Sequence, residues 1–141
     1  MNEMYALSQD IHIYTLMGWL FVLLTMIVVH KWANDFDKLV KSISVLMILH
    51  ITLASAMVLT GAIMMAVRHL SLTPANLLMI LAILVVATLE IKRNKALGKV
   101  VKFKLMPKMS YIHLALKYQI SEFVIIVAVG VFSGMARAIS F

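Results

Sequence analysis

Five histidines, His12, His30, His50, His69 and His113, stand in a chain where Asp, Glu, Lys and Arg together make up only 13% of the residues. Imidazole ligates metals and haem iron, and it is the side chain whose charge changes near neutral pH. Position along the apolar runs sorts the five. His12 and His69 fall at run ends on one side, His30 and His113 at run ends on the other. His50 is alone in the interior of its run, roughly 10 Å from the nearer boundary at a rise of about 1.5 Å per residue. A b-type haem in a helical bundle takes axial ligands from different helices at matching depth. The spacing therefore offers His12 and His69 as an outer-side pair for the iron of haem b, with His50 as the alternative ligand. A single terminal histidine is more often an interfacial anchor, and an interior one serves equally as an interhelical hydrogen bond contributing about 0.6 kcal/mol.

Glu122 is the second ionisable residue deep in an apolar run, with Phe123–Val129 following it. A carboxylate there must find a partner or take up a proton. At the level of His50 it is a proton relay, or an outer partner that orients a liganding imidazole. Lys117 snorkels to the nearby boundary, and Glu90, beside Lys92 and Arg93, reads as an ordinary interfacial charge. The 12 methionines show no clustered copper motif and read as adaptable core filler. With Cys 0, thiolate chemistry and Cys-ligated metal centres are excluded. Phosphate-cradling glycine loops and HExxH spacing are also missing from the sequence.

These residues need rigid elements to hold them, and the composition dictates which. Hydrophobic residues make up 63% of the 141, where a soluble domain has roughly 45–50%. A chain this short has too much surface to hide such an excess from water. Positions 11–30, 42–67 and 69–89 contain no Asp, Glu, Lys or Arg, and about 20 apolar residues suffice for a helix to cross the bilayer core. The runs are continuous, as in Leu77–Ala87, rather than alternating as in a membrane barrel. The expected fold is an all-α, four-helix transmembrane bundle. It forms a single integral membrane domain over 1–141, with spans at about 11–30, 43–67, 75–91 and 111–136 and a basic loop at 92–110.

Loop 31–42 carries Lys31, Lys38 and Lys41, and loop 92–110 carries Lys92, Arg93, Lys95, Lys99, Lys102, Lys104 and Lys108. The opposite side has only Arg68 and Arg137. The positive-inside rule then predicts two cytoplasmic loops, both termini outside the cytoplasm, and residence in a bacterial cytoplasmic (inner) membrane. This distribution also explains the +7 net charge. The basic loop interleaves lysines with Val100, Val101, Phe103 and Leu105, as a segment lying on anionic lipid headgroups would. No nucleic-acid recognition motif surrounds it, so no nucleic-acid partner is expected.

His12–Trp19 reads HIYTLMGW, a histidine heading the first helix with tryptophan seven residues later, and His50–Gly61 reads HITLASAMVLTG. The first segment resembles the opening of HemJ-type protoporphyrinogen oxidases, and the second resembles the second helix of the related SirB family. CopD proteins share the short four-helix layout. The HemJ pattern has glycine where this chain has Val22, and an early third-helix lysine where it has Asn76, Leu77 and Leu78. The resemblance implies a haem-binding four-helix membrane protein for electron transfer or tetrapyrrole oxidation, with His12 carried over most directly. The competing reading is a non-enzymatic transporter, channel subunit or assembly partner whose His50 and Glu122 are buried polar contacts. Four short helices enclose little interior, so self-association or a membrane-complex partner fits either. The charge asymmetry predicts that a reporter fused after Phe141 is active only if it works outside the cytoplasm, and that one inserted at Gly98 behaves oppositely. A cytoplasmic C-terminus would show that the spans are miscounted.

Overall fold

The structure is a computed structural model, and it describes residues 2–67, 72–104 and 106–139. Four α-helices account for nearly all of them: α1 (Asn2–Lys31), α2 (Phe36–Val67), α3 (Pro74–Val101) and α4 (Lys108–Ile139). All four are long and apolar enough to cross a membrane. The described residues contain no strand. Within lipid this follows from the backbone, since a helix pairs its own N–H and C=O groups and an open strand does not.

The helices run past the spans expected from hydropathy, most clearly at α3, which continues to Val101. At about 1.5 Å per residue, helices of this length reach roughly 42–48 Å, enough to cover the bilayer including its headgroups at about 40–45 Å. Their polar ends therefore stay helical outside the hydrocarbon core. The basic segment 92–110 accordingly divides. Residues 92–101 form the last turns of α3, and only a short connection separates them from α4.

Local chemistry sets the helix starts. The Asp35 carboxylate accepts the backbone N–H of Asp37 at 3.0 Å, and its carbonyl accepts from Leu39 at 3.0 Å, which opens α2. Thr73 caps α3 by accepting the N–H of Asn76 at 3.2 Å. Pro74 follows in the first turn, where its missing N–H costs nothing.

Neighbouring pairs are α1 with α2, α1 with α4 and α3 with α4, giving the spatial order α2–α1–α4–α3. Phe36 and Tyr111 meet edge to face at 6.2 Å between centroids, and the Lys108 ammonium sits 5.1 Å from the Phe36 ring. The α1–α2 and α3–α4 connections therefore share one end, which carries most of the lysines and is called the basic end below. Three apolar clusters hold the bundle. Val22, Met26, Leu39 and Ile43 join α1 to α2 in the basic half. Ala96, Val100, Tyr111 and Ala115 join α3 to α4 in the same half. Trp19, Leu23, Met57, Val86 and Ile126 tie all four helices together. Large apolar side chains such as Tyr14, Phe21, Ile48, Leu59 and Leu84 point outward and exposed, as lipid contact requires.

Candidate functional site

The two apolar seams of the basic half leave a strip between them, and the side chains filling it are polar. On α3 the buried face runs Val86, Glu90, Arg93, Ala96 and Val100. On α4 it runs Tyr111, Ala115, Gln119, Glu122 and Ile126. These are the three- and four-residue spacings of one helix face. The same periodicity carries Trp19, Leu23, Met26 and His30 along α1. Arg93, Gln119 and Glu122 are all 0% exposed.

His50, Glu90 and Glu122 come from three helices, and their potential ligating atoms all lie within 4.8 Å of one another. Each stands roughly three to four turns from the basic end of its helix, near mid-height. Arg93 donates from Nη2 to Glu90 Oε1 as a buried ion pair one turn away on α3. The helix α1 contributes Trp19, whose indole Nε1–H donates to His50 Nδ1 at 3.1 Å. The two rings are tilted, with centroids 5.6 Å apart. Because Nδ1 accepts this bond, the proton of the neutral imidazole lies on Nε2.

Few of the cluster's polar atoms are paired. Among the described residues, both oxygens of Glu122, Oε2 of Glu90, Nε and Nη1 of Arg93 and both amide atoms of Gln119 lack hydrogen-bond partners. Buried polar groups are ordinarily satisfied, so a concentration of unsatisfied ones marks a place where water, an ion or a substrate belongs. Toward the basic end the strip continues to Tyr111 and His30, whose rings lie 5.9 Å apart. His30 Nδ1 donates to the Met26 carbonyl at 2.9 Å, so its basic nitrogen is Nε2.

The other histidines separate from this cluster. His12 is half-buried at the opposite end of the bundle, with Nδ1 2.7 Å from Thr60 Oγ1. The Thr60 hydroxyl also bonds the Ala56 carbonyl at 2.8 Å on its own helix. A Cβ on Gly61 would meet His12 Cε1 at 3.7 Å, so the ring lies directly against α2. His69, expected as the partner of His12, lies outside the described residues. His113 is exposed, whereas His30 is buried beside Tyr111, so the expected inner pair of histidines has two unlike environments.

The structure thus brings His50 and Glu122 together and places His12 apart from them. It also adds Glu90 and Arg93, which the sequence presents as interfacial charges beside Lys92. The signal that distinguishes them is register: Glu90 and Arg93 continue the face of Val86, while Lys92, Lys95 and Lys99 are exposed.

Fold and site together define a four-helix bundle of membrane-spanning length built around a buried ionisable cluster. No family model, curated protein or solved structure matches the chain.

The ion pair supplies a direct test of this arrangement. Replacing Arg93 by Met strands the carboxylates without their cation and should destabilise the protein by about 3–5 kcal/mol, whereas the double variant Glu90→Leu/Arg93→Met should recover most of that loss. Unfolding in mixed micelles measures both, and additive effects would show that the two residues are not coupled.

Proposed function

We propose that the chain is an integral membrane protein that binds and relays a proton at the His50–Glu90–Glu122 group, as the working core of a small transporter or channel subunit. The observation that carries this reading is the placement of two carboxyl groups and an imidazole within 4.8 Å of one another beside a single guanidinium. With both carboxylates ionised and His50 neutral, the group carries one negative charge in excess of Arg93. An uncompensated buried charge is very costly, and one shared proton removes it. A divalent cation at the same place would instead leave one positive charge in excess. Interacting acids that share a proton titrate as a unit and release it cooperatively, which is the property a relay needs.

The inner membrane of a bacterium, with the basic end in the cytoplasm, is the setting that the charge distribution supports. At that end Lys92, Lys95 and Lys99 line, with Tyr118, a groove of about 300 Å³ between α3 and α4. Anionic lipid headgroups fit such a groove by charge.

The proton reading is tested by infrared difference spectroscopy on the purified protein. A protonated-carboxyl band that responds to pH and disappears in Glu122→Gln is the expected result. Absence of any such band in the wild type, at every pH where the protein stays folded, would overturn it.

A second reading, b-haem binding for electron transfer or tetrapyrrole oxidation, is favoured by one observation. The His12–Thr60 hydrogen bond and the contact with Gly61 fix the ring against α2, and an axial ligand needs such a held orientation. His50 does not fit, because its basic nitrogen is turned to Trp19. Haem would supply one-electron chemistry, with His12 holding the iron and His69 offered as the second ligand by sequence position. Protein purified from haem-replete cells should then show a Soret band whose intensity falls far more in His12→Ala than in His30→Ala. Equal haem content in the two variants would remove His12 from that role.

A further inference from the structure

The polar strip does not end symmetrically about the cluster. Toward the basic end, Gln119, Tyr111 and His30 follow one another along α4 and α1, each at most 1% exposed. Each has a polar atom without a partner among the described residues: both amide atoms of Gln119, the hydroxyl of Tyr111 and Nε2 of His30. Toward the opposite end, one to two turns from the cluster, the facing side chains are Met57 on α2, Val86 on α3 and Ile126 on α4, packed with Trp19 of α1. The one strong polar group of this layer, the Trp19 indole N–H, is committed to His50 and cannot accept a proton, so the layer gives a proton nothing to step on.

We infer that the cluster exchanges its proton with one side of the membrane only, the basic end, through a half-channel whose polar side chains are Gln119, Tyr111 and His30. This inference rests on the proton-relay reading and adds the route and its direction. His30 accepts a proton at Nε2 while Nδ1–H stays on the Met26 carbonyl. Tyr111 passes it on, since its hydroxyl is both donor and acceptor. Gln119, one turn before Glu122 on the same face, offers a carbonyl and an amide, and the route requires water to bridge the roughly 12 Å of helix rise between it and Tyr111. The proton arrives on the His50–Glu90–Glu122 group and leaves by the same steps reversed, with no bond to carbon made or broken. The groups facing the route are His30 from α1, His50 from α2, Glu90 and Arg93 from α3, and Tyr111 and Glu122 from α4. Arg93 is neutralised by Glu90, so the route does not pass a bare positive charge.

Hydrogen–deuterium exchange of the Glu122 carboxyl band, followed in the infrared after transfer to deuterated buffer, tests the route. Tyr111→Phe and Gln119→Met each remove a hydrogen-bonding step while keeping side-chain volume, and each should slow exchange by about tenfold or more. Ser133→Ala, on the far side of the Met57–Val86–Ile126 layer, should leave the rate unchanged. Exchange as fast in Tyr111→Phe and Gln119→Met as in the wild type would overturn the half-channel while leaving the proton reading in place. Slowing in Ser133→Ala would overturn its one-sidedness. A wild type with no protonated-carboxyl band would overturn both readings together. Should either substitution unfold the protein, the other carries the test.

Discussion

Arg93 and Glu90 are held against each other inside an apolar bundle, and the energetics of that pair constrain what surrounds them. Removing two charges from water costs several kcal/mol per ion, and their attraction repays this only when the remaining donors and acceptors are also satisfied. Here they are not: Arg93 keeps Nε and Nη1 unpaired and Glu90 keeps Oε2 unpaired among the described residues. A well-packed Leu–Met pair would serve stability as well or better. The cluster is therefore poorly explained as a structural staple. Its cost is understandable if the group must change its proton content, because a site with every lone pair satisfied has no reason to do so.

Packing is arranged around that cluster. In lipid the tails are as apolar as the side chains, so helices gain little from hydrophobic burial and associate through close contact and polar bonds. Small residues provide the close contact where α3 meets α4, at Ala96 and Ala115. Between α1 and α2 the contact is made by Val22, Met26, Leu39 and Ile43. With these seams on either flank, the strip between them is left to Gln119, Tyr111 and His30. The α2–α3 side has little direct helix contact, and it is spanned instead by the approach of His50 to Glu90. One set of side chains thus joins the helices that packing leaves apart and forms the candidate site.

The four membrane-length helices were legible in the sequence because continuous apolar runs admit few other structures, and His50 and Glu122 were legible because ionisable residues inside such runs stand out. Their buried neighbours were not. In a water-soluble helix the polar face marks the outside, but a lipid-facing helix is apolar all round, so hydropathy says little about which face turns inward. Glu90 and Arg93 suffered most from this. They sit where the apolar run gives way to lysines, and composition alone assigns them to the headgroups. The helix continues through them to Val101, and continued register, rather than local composition, turns Arg93 inward while Lys92 and Lys95 stay exposed.

The histidines show why residue type and depth are insufficient to assign chemistry. His12, His30 and His50 are the same side chain at three depths, yet their hydrogen bonds make them different reagents. His12 pairs through Nδ1 with a hydroxyl, while a carbonyl at His30 takes the proton of Nδ1 and makes Nε2 the basic nitrogen. An indole donor at His50 does the reverse. Thr60, which holds the ring of His12, reads in the sequence as one more small residue at a helix contact, and Trp19 reads as part of a motif rather than as a donor. In each case the deciding partner lies on the same helix one turn away or on the neighbouring helix. Imidazoles whose rings are held by different partners differ in which nitrogen carries the proton, and so in what each ring can do. The bundle holds two of these imidazoles at different heights, His12 toward the far end against Thr60 and His50 at mid-height beside Glu90 and Glu122. The side chains of Met57, Val86 and Ile126, packed with Trp19, lie between them.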